Sequence, residues 1–161
     1  MDDVQPDGRW VFFSSSRDGA LSTYKVSIDG GEPVLVTRNL DRATLSVDGR
    51  FMAGVHRSSA QDLALAVLSL ADDQVVHRLP GYAPATGSGG FVWAPDGASL
   101  FFTSVERMNL WKWTFAGGEP RKVTNFSDRT IVRLGRSPDG KSVLVSRGSA
   151  VRDAFLLMNF H

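Results

Sequence analysis

Short apolar runs separated by turn residues recur along this sequence. They alternate apolar with polar side chains and do not follow the period of three to four residues that an amphipathic helix needs. The clearest unit predicts strands at Gly90 to Ala94, Ser99 to Ser104, Asn109 to Phe115 and Arg121 to Thr124, with turns at Pro95-Asp96-Gly97 and Gly117-Gly118. The pattern therefore predicts an all-β protein whose unit is a four-stranded antiparallel meander.

The unit recurs four times, because an Asp-Gly pair stands before an apolar run at four places. These aspartates lie 41, 48 and 43 residues apart: Asp7, Asp48, Asp96 and Asp139. A second marker, Gly-Gly-Glu-Pro, stands at 30–33 and 117–120, and Asp72-Asp73 replaces its glycines in the second unit. An Asp side chain closes a tight turn and the following Gly tolerates positive φ. Each pair is therefore predicted to form a hairpin turn and not a ligand site.

A lone meander cannot bury both of its faces, whereas radial stacking of several copies buries them. The repeat predicts one β-propeller segment over residues 1–161, with blades at about 1–40, 41–84, 85–127 and 128–161. The first and last blades are expected to be incomplete, since only Asp2 to Gln5 can supply the first innermost strand. Three arrangements follow: a piece of a larger propeller, a ring closed by self-association with a second copy, or a strained four-bladed ring joining Asp2 to Gln5 with Asp153 to Phe160.

The repeats resemble the TolB-type, or WD-like, propeller family. The matching residues are Trp93 to Gly97, Leu100 to Ser104, Leu110-Trp111, Gly117-Gly118, Val123-Thr124, Arg136 to Gly140 and Val143 to Ser146. The resemblance implies that Trp93 and Trp111 pack between blades. Residues 146–148 and 153–160 are also similar to the C-terminus of bacterial multidomain proteins in which a propeller follows a winged-helix regulator or a serine/threonine kinase.

Charge and composition narrow the function classes. Lys and Arg number 18 against 17 Asp and Glu, so no global field favours nucleic acid, and no apolar run is long enough for a membrane span. The three histidines fall in different parts of different repeats, and no cysteine is present, so no metal site is predicted. No nucleophile elbow, P-loop or dinucleotide fingerprint occurs, so no cofactor and no catalytic residue are predicted. The sequence is compatible with either the periplasm or the cytoplasm of a bacterium.

The repeat sorts the charged residues onto two faces. Loops that join second to third strands, or one blade to the next, would share a face rich in arginine: Arg17, Arg38, Arg42, Arg57, Arg107, Arg129, Arg147 and Arg152. The hairpins on the opposite face are mostly acidic. Arginine suits planar recognition of carboxylates, supplied either by neighbouring loop residues such as Asp41 and Asp128 or by an anionic peptide or small acid at the channel mouth.

Arg136 departs from this arrangement, because it stands on an innermost strand where the third repeat has Trp93. A charge there is costly unless it is paired or faces water. We expect an ion pair or, alternatively, a contact with a ligand in the channel.

These observations favour a noncatalytic binding module that presents loops to a protein or peptide, within a larger bacterial sensor or regulatory protein. Two alternatives remain. The segment could be the substrate-filtering propeller of a prolyl-oligopeptidase-like hydrolase, or a propeller lyase with a site built across blades.

Overall fold

Every regular element that the structure describes is a β-strand. The computed structural model describes residues 3–5, 7–19, 21–59, 62–81, 90–104, 106–137 and 139–149. Within these ranges no helix is long and apolar enough to cross a membrane. The all-β class predicted from the sequence is confirmed.

The strands form successive antiparallel blades in which spatial order follows chain order. Blade 1 contains β1 (Asp3–Val4), β2 (Trp10–Ser15), β3 (Ser22–Ser27) and β4 (Val34–Thr37). Blade 2 contains β5 (Leu40–Leu45), β6 (Phe51–Arg57), β7 (Leu63–Ser69) and β8 (Val75–Pro80). Blade 3 contains β9 (Phe91–Trp93), β10 (Ser99–Thr103), β11 (Leu110–Thr114) and β12 (Arg121–Lys122). The described part of blade 4 contains β13 (Thr130–Arg136) and β14 (Val143–Gly148).

The predicted incomplete ends fit this architecture as far as it is described. The innermost strand of blade 1 has only two residues, and it pairs with β2 through Asp3 and Val4. Residues 150–161, which would continue blade 4, lie outside the described residues, and so does the predicted contact of 153–160 with the N-terminus.

All four Asp-Gly pairs form the hairpin turns expected from their local chemistry. In each turn the Asp Oδ1 accepts the backbone N–H two residues later, at 2.9 to 3.1 Å. The glycine that follows the Asp has a φ between 64° and 71° in every case: Gly8, Gly49, Gly97 and Gly140. A short polar side chain and a residue without Cβ therefore determine the position of the first hairpin in each blade.

Apolar side chains fill the boundaries between blades. Phe12, Met52 and Leu68 belong to the cluster between blades 1 and 2. Trp93 is 1% exposed in the cluster between blades 2 and 3, where it also donates from Nε1 to the Thr44 carbonyl at 3.0 Å. The partly buried Trp111 packs against the same cluster. The packing roles expected of both tryptophans are thus observed.

The innermost strands face the axis and contact one another. Strand β5 contacts β1 on one side and β9 on the other, and β9 also contacts β13. The pairing of β5 with β6 shifts between Asp41 and Thr44, and that of β13 with β14 shifts between Ile131 and Arg133. These β-bulges bend the strands at the end where loops from the preceding blade approach.

Candidate functional site

The arginines predicted to share a face lie at one end of the molecule, apart from Arg152, which is outside the described residues. We call this end the loop face; it consists of the β2–β3, β4–β5, β6–β7, β10–β11 and β12–β13 connections and the adjoining strand ends. Interblade hydrogen bonds connect neighbouring parts of it: the Thr23 hydroxyl donates to the Leu40 carbonyl at 2.8 Å, and Ile131 N–H donates to the Arg107 carbonyl at 2.6 Å. The opposite end, made of the Asp-Gly and β3–β4-type hairpins, is the hairpin face.

Arg42 occupies the bulge of the innermost strand β5 and has a left-handed φ of 54°. Its Nε donates to Asp41 Oδ2 at 3.0 Å, and its amide donates to Ser14 Oγ of blade 1 at 3.2 Å. Its Nη1 is buried and has no hydrogen-bond partner among the described residues. The backbone conformation, disfavoured for a residue with Cβ, thus holds a guanidinium with one unsatisfied donor group.

Arg107 is also left-handed, with a φ of 56°, but its side chain donates to backbone carbonyls. Its Nε donates to the Ile131 carbonyl at 2.9 Å and Nη2 donates to the Val132 carbonyl at 2.5 Å. Both acceptors lie in the bulged inner strand of blade 4. Arg107 therefore attaches blade 3 to blade 4, a role that spacing in the sequence does not reveal.

Arg147 of blade 4 packs against the connection between blades 3 and 4. Its guanidinium lies 3.6 Å from the centroid of the Phe126 ring and Nη2 pairs with Asp128. The hydrogen bond from Arg147 is the main reason that the pKa of Asp128 is lowered. Arg129 is exposed and stands 3.8 Å from the same carboxylate. Blade 4 therefore pairs both of these arginines with one of its own carboxylates, although Arg147 Nε is buried without a hydrogen-bond partner among the described residues.

The loop face of blade 1 carries Arg17 over an aromatic pair. The exposed Arg17 guanidinium lies 5.0 Å from the Tyr24 ring centroid and 5.9 Å from that of Phe13. The Tyr24 hydroxyl donates to Asp18 at 2.5 Å, which raises the pKa of Tyr24. Arg38 is exposed and, like Arg17, acts electrostatically on Tyr24, so the two cations lie in one region.

Of the two remaining predicted site residues, Arg57 lies on the loop face and Arg136 does not. Arg57 is exposed at the end of β6 and, with Asp41 and Asn39, lines a small cavity of about 70 Å³. Arg136 ends β13 near the hairpin face and is exposed. It forms no ion pair with any described residue, so the expected pairing is not seen there, and the ligand contact stays a prediction.

Metal-binding chemistry finds no support in the described ranges, where no three His, Asp or Glu side chains come together in a suitable group. On the hairpin face, the carboxylates of the four Asp-Gly pairs accept hydrogen bonds within their own turns. Asp48, for example, accepts from Ser46 Oγ at 2.6 Å and from Arg50 Nε at 2.6 Å.

The architecture is similar to that of solved TolB structures. TolB from Acinetobacter baumannii superposes with a TM-score of 0.68 and 22% identity over 90% of this chain and 36% of the other. A putative TolB from Agrobacterium tumefaciens gives 0.65 and 18% over 90% of this chain and 52% of its own. An acylaminoacyl peptidase in complex with Z-Gly-Gly-Phe-chloromethyl ketone gives 0.58 and 14%, over 82% of this chain and 26% of its own.

Similarity in sequence is more limited. The uncharacterized protein Atu1656 of Agrobacterium fabrum is 43% identical over 35 residues, which are 22% of this chain and 12% of that protein. No family model matches the chain. The chain spans about half or less of each of these proteins. These likenesses and the blades together show the class: the chain is a β-propeller segment. The fold is of the TolB type, as the repeat residues indicated.

Proposed function

We propose that the chain is a noncatalytic propeller module that binds an acidic protein or peptide segment on the loop face, within a larger bacterial sensor or regulatory protein. The observation that carries the proposal is the unsatisfied guanidinium of Arg42. Its Nη1 is buried without an acceptor in the described part of the chain, and an unsatisfied buried donor costs free energy that a bound carboxylate would recover.

The surroundings of Arg42 suit an anionic partner. Arg17 is exposed in the preceding blade, and its packing over Phe13 and Tyr24 limits its conformations without neutralising it. Asp41 fixes the Arg42 guanidinium by one hydrogen bond to Nε. Because charges near a partly enclosed surface are only partly screened, two arginines can select acidic over basic segments.

Binding of a blocked tetraglutamate peptide, followed by amide NMR shifts, tests the proposal. Arg42→Ala and Arg42→Lys should both weaken binding, since lysine keeps the charge but loses the planar donor pair. Arg9→Ala, at the exposed first Asp-Gly turn of the hairpin face, is the matched control and should bind as the parent does. Equal affinity of Arg42→Ala and the parent, or equal binding of tetralysine, would refute the assignment.

A second candidate is favoured by the likeness to the acylaminoacyl peptidase: the segment would be the propeller of a hydrolase whose catalytic domain is a separate part of the protein. Sequencing the whole gene that encodes this chain distinguishes the regulatory module from the hydrolase propeller. An α/β-hydrolase domain in frame with the propeller would support the hydrolase and contradict the regulator; a regulatory or kinase domain would do the reverse.

Self-association is the remaining part of the proposal. Phe12 on β2 points toward blade 2, so its neighbours Val11 and Phe13 point to the other face of blade 1. Val4, paired with Val11, is 53% exposed. An apolar blade face of this kind matches the faces that pack between blades within the chain, and a second copy could cover it in the same manner.

A further inference from the structure

Two clefts lie between consecutive blades, each bounded by the outer strand of one blade and the last hairpin of the next. The first, between β4 and blade 2, has a volume of about 370 Å³, and the second, between β8 and blade 3, about 530 Å³. Both volumes fall within the range of ligand-binding clefts. We call them the first groove and the second groove.

The first groove has an apolar floor and charged ends. Val36 and Leu68 lie along it, Arg38 lies at its loop-face end, and Asp73 lies in the β7–β8 hairpin at the other end. Neither Arg38 nor Asp73 forms an ion pair with a described residue. The groove therefore presents a free cation and a free carboxylate separated by an apolar stretch.

Asp73 occupies a position where the turn favours glycine. Its φ is 57°, and the corresponding hairpins of blades 1 and 3 have Gly-Gly pairs with φ between 92° and 108°. A left-handed φ is disfavoured for residues with a Cβ, although Asp tolerates it better than most. Blade 2 thus places a carboxylate in the groove at the expense of turn geometry.

His56 adds a third polar group. It lines the first groove from β6, and its Nδ1 is buried without a hydrogen-bond partner among the described residues. Burial, followed by the charge of Arg78, lowers the pKa of His56, so the imidazole is neutral at neutral pH. A neutral imidazole with hydrogen on Nε2 offers Nδ1 as an acceptor for an N–H group.

The second groove also has a carboxylate, Glu119, but its cation is already paired. Arg78, which lines it, pairs with Asp62 at 2.5 Å, and Phe115 stacks on His77 with ring centroids 4.7 Å apart. The corresponding hairpin contains Gly117 and Gly118. The larger cleft is therefore partly filled by aromatic rings and its cation is already neutralised.

We infer that the first groove binds a short extended peptide segment that has a basic side chain at Asp73, an acidic side chain at Arg38, small apolar residues between them, and a backbone N–H that donates to His56 Nδ1. The charges of the groove ends select this occupant, because a segment charged with one sign would face repulsion at one end. An extended segment matches the strand β4 that forms one wall. This site is distinct from the Arg42 site.

The probe is a pair of blocked peptides, acetyl-Lys-Val-Ala-Glu-amide and its reverse sequence, titrated into the full chain and followed by amide NMR shifts. At least one should bind more tightly than the Lys/Lys and Glu/Glu versions, with shifts at Thr37, Asn39 and Gln74. Shifts confined to other surfaces, or no saturable shift at millimolar peptide, would overturn the inference.

Asp73→Gly is the decisive variant, because it removes the carboxylate while relieving the turn. It should weaken the binding of the mixed-charge peptide about threefold, which is the effect expected from loss of an exposed ion pair. It should not lower the melting temperature. Arg38→Glu should change the binding preference to the Lys/Lys peptide. His56→Phe should weaken the binding of every peptide. Unchanged affinity in Asp73→Gly would refute the site. Arg42→Ala should leave peptide binding in the first groove unchanged. The groove inference can therefore fail without the loop-face proposal failing, and the reverse.

Discussion

Thr44 donates its hydroxyl hydrogen to Asp3 across the boundary between blades 1 and 2, at 2.8 Å. The same Asp3 oxygen accepts the Leu45 amide at 2.7 Å. On its other side, the Thr44 carbonyl accepts the Trp93 indole N–H of blade 3. One residue of an innermost strand therefore holds polar contacts with both neighbouring blades.

Replacing Asp3 by Ala should lower the free energy of unfolding by about 1–3 kcal/mol, because the partly buried Thr44 hydroxyl and Leu45 amide lose their acceptor. Asp3→Asn retains a carbonyl oxygen and should cost less. Urea denaturation measures both. The exposed Asp29 is the matched control, and Asp29→Ala should leave the midpoint unchanged. An unaltered midpoint in Asp3→Ala would show that this contact does not stabilise the fold.

Gly54 on β6 allows close approach of the innermost strand. A Cβ at this position would lie 2.7 Å from Leu40 Cγ and 2.9 Å from the Asp41 carbonyl oxygen. Gly54→Ala should therefore destabilise the protein by about 1–3 kcal/mol through overpacking. Gly135 on β13 is the control, since a Cβ there would meet no atom within 4 Å. Equal melting temperatures for the two variants would contradict the expected steric conflict.

Acid should weaken the Asp48 hairpin at very low pH. The hydrogen bond from Ser46 is the main cause that lowers the pKa of Asp48 to about 2, aided by Arg50. Because the folded pKa lies below the unfolded value, this stabilisation is present above the ordinary Asp range and is lost as pH falls through about 2. The carboxylate is nearly half exposed, so its contribution should be about 1 kcal/mol or less.

Ser46→Ala tests that assignment. Removing the hydroxyl should raise the pKa of Asp48 toward its ordinary value, observed by NMR titration of the carboxyl carbon. Ser16→Ala, in the exposed β2–β3 loop, should leave the Asp48 titration unchanged. If Ser46→Ala titrates like the parent, the hydroxyl is not the cause.

Self-association should appear as a mass above the 17.5 kDa of one chain in sedimentation or light scattering. Val4→Lys places a charge on the outer apolar face of blade 1 and should shift the equilibrium toward the single chain. Val123→Lys is the control, since Val123 is similarly exposed but belongs to blade 3, away from both terminal blades. A parent mass of one chain across micromolar concentrations would contradict the proposed association.

Local chemistry explains which parts of the fold were predictable. The strands of blade 3 differ from their predicted bounds by no more than two residues, because Asp96, Gly97 and the Gly117-Gly118 pair determine where its hairpins turn. The burial of Trp93 followed from its place in the repeat.

Contacts between blades were not predictable, because they join residues far apart in the chain. The bulges in β5 and β13, the left-handed conformations of Arg42 and Arg107, and the hydrogen bonds of Arg107 depend on how one blade meets the next. Spacing placed the arginines on one face but could not separate Arg107, bound to backbone, from the exposed Arg38. The groove that contains His56 forms only when blades 1 and 2 are assembled.

The polar contacts at the three blade boundaries differ in kind. Between blades 1 and 2 a hydroxyl donates to a carboxylate, and between blades 2 and 3 an indole N–H donates to a carbonyl. Between blades 3 and 4 a guanidinium donates to two carbonyls. Blades with the same backbone plan are consequently not interchangeable parts. Duplicating or permuting one blade would place mismatched donors and acceptors at its boundaries, so the linear order of the repeats is itself encoded in their inner strands and loops.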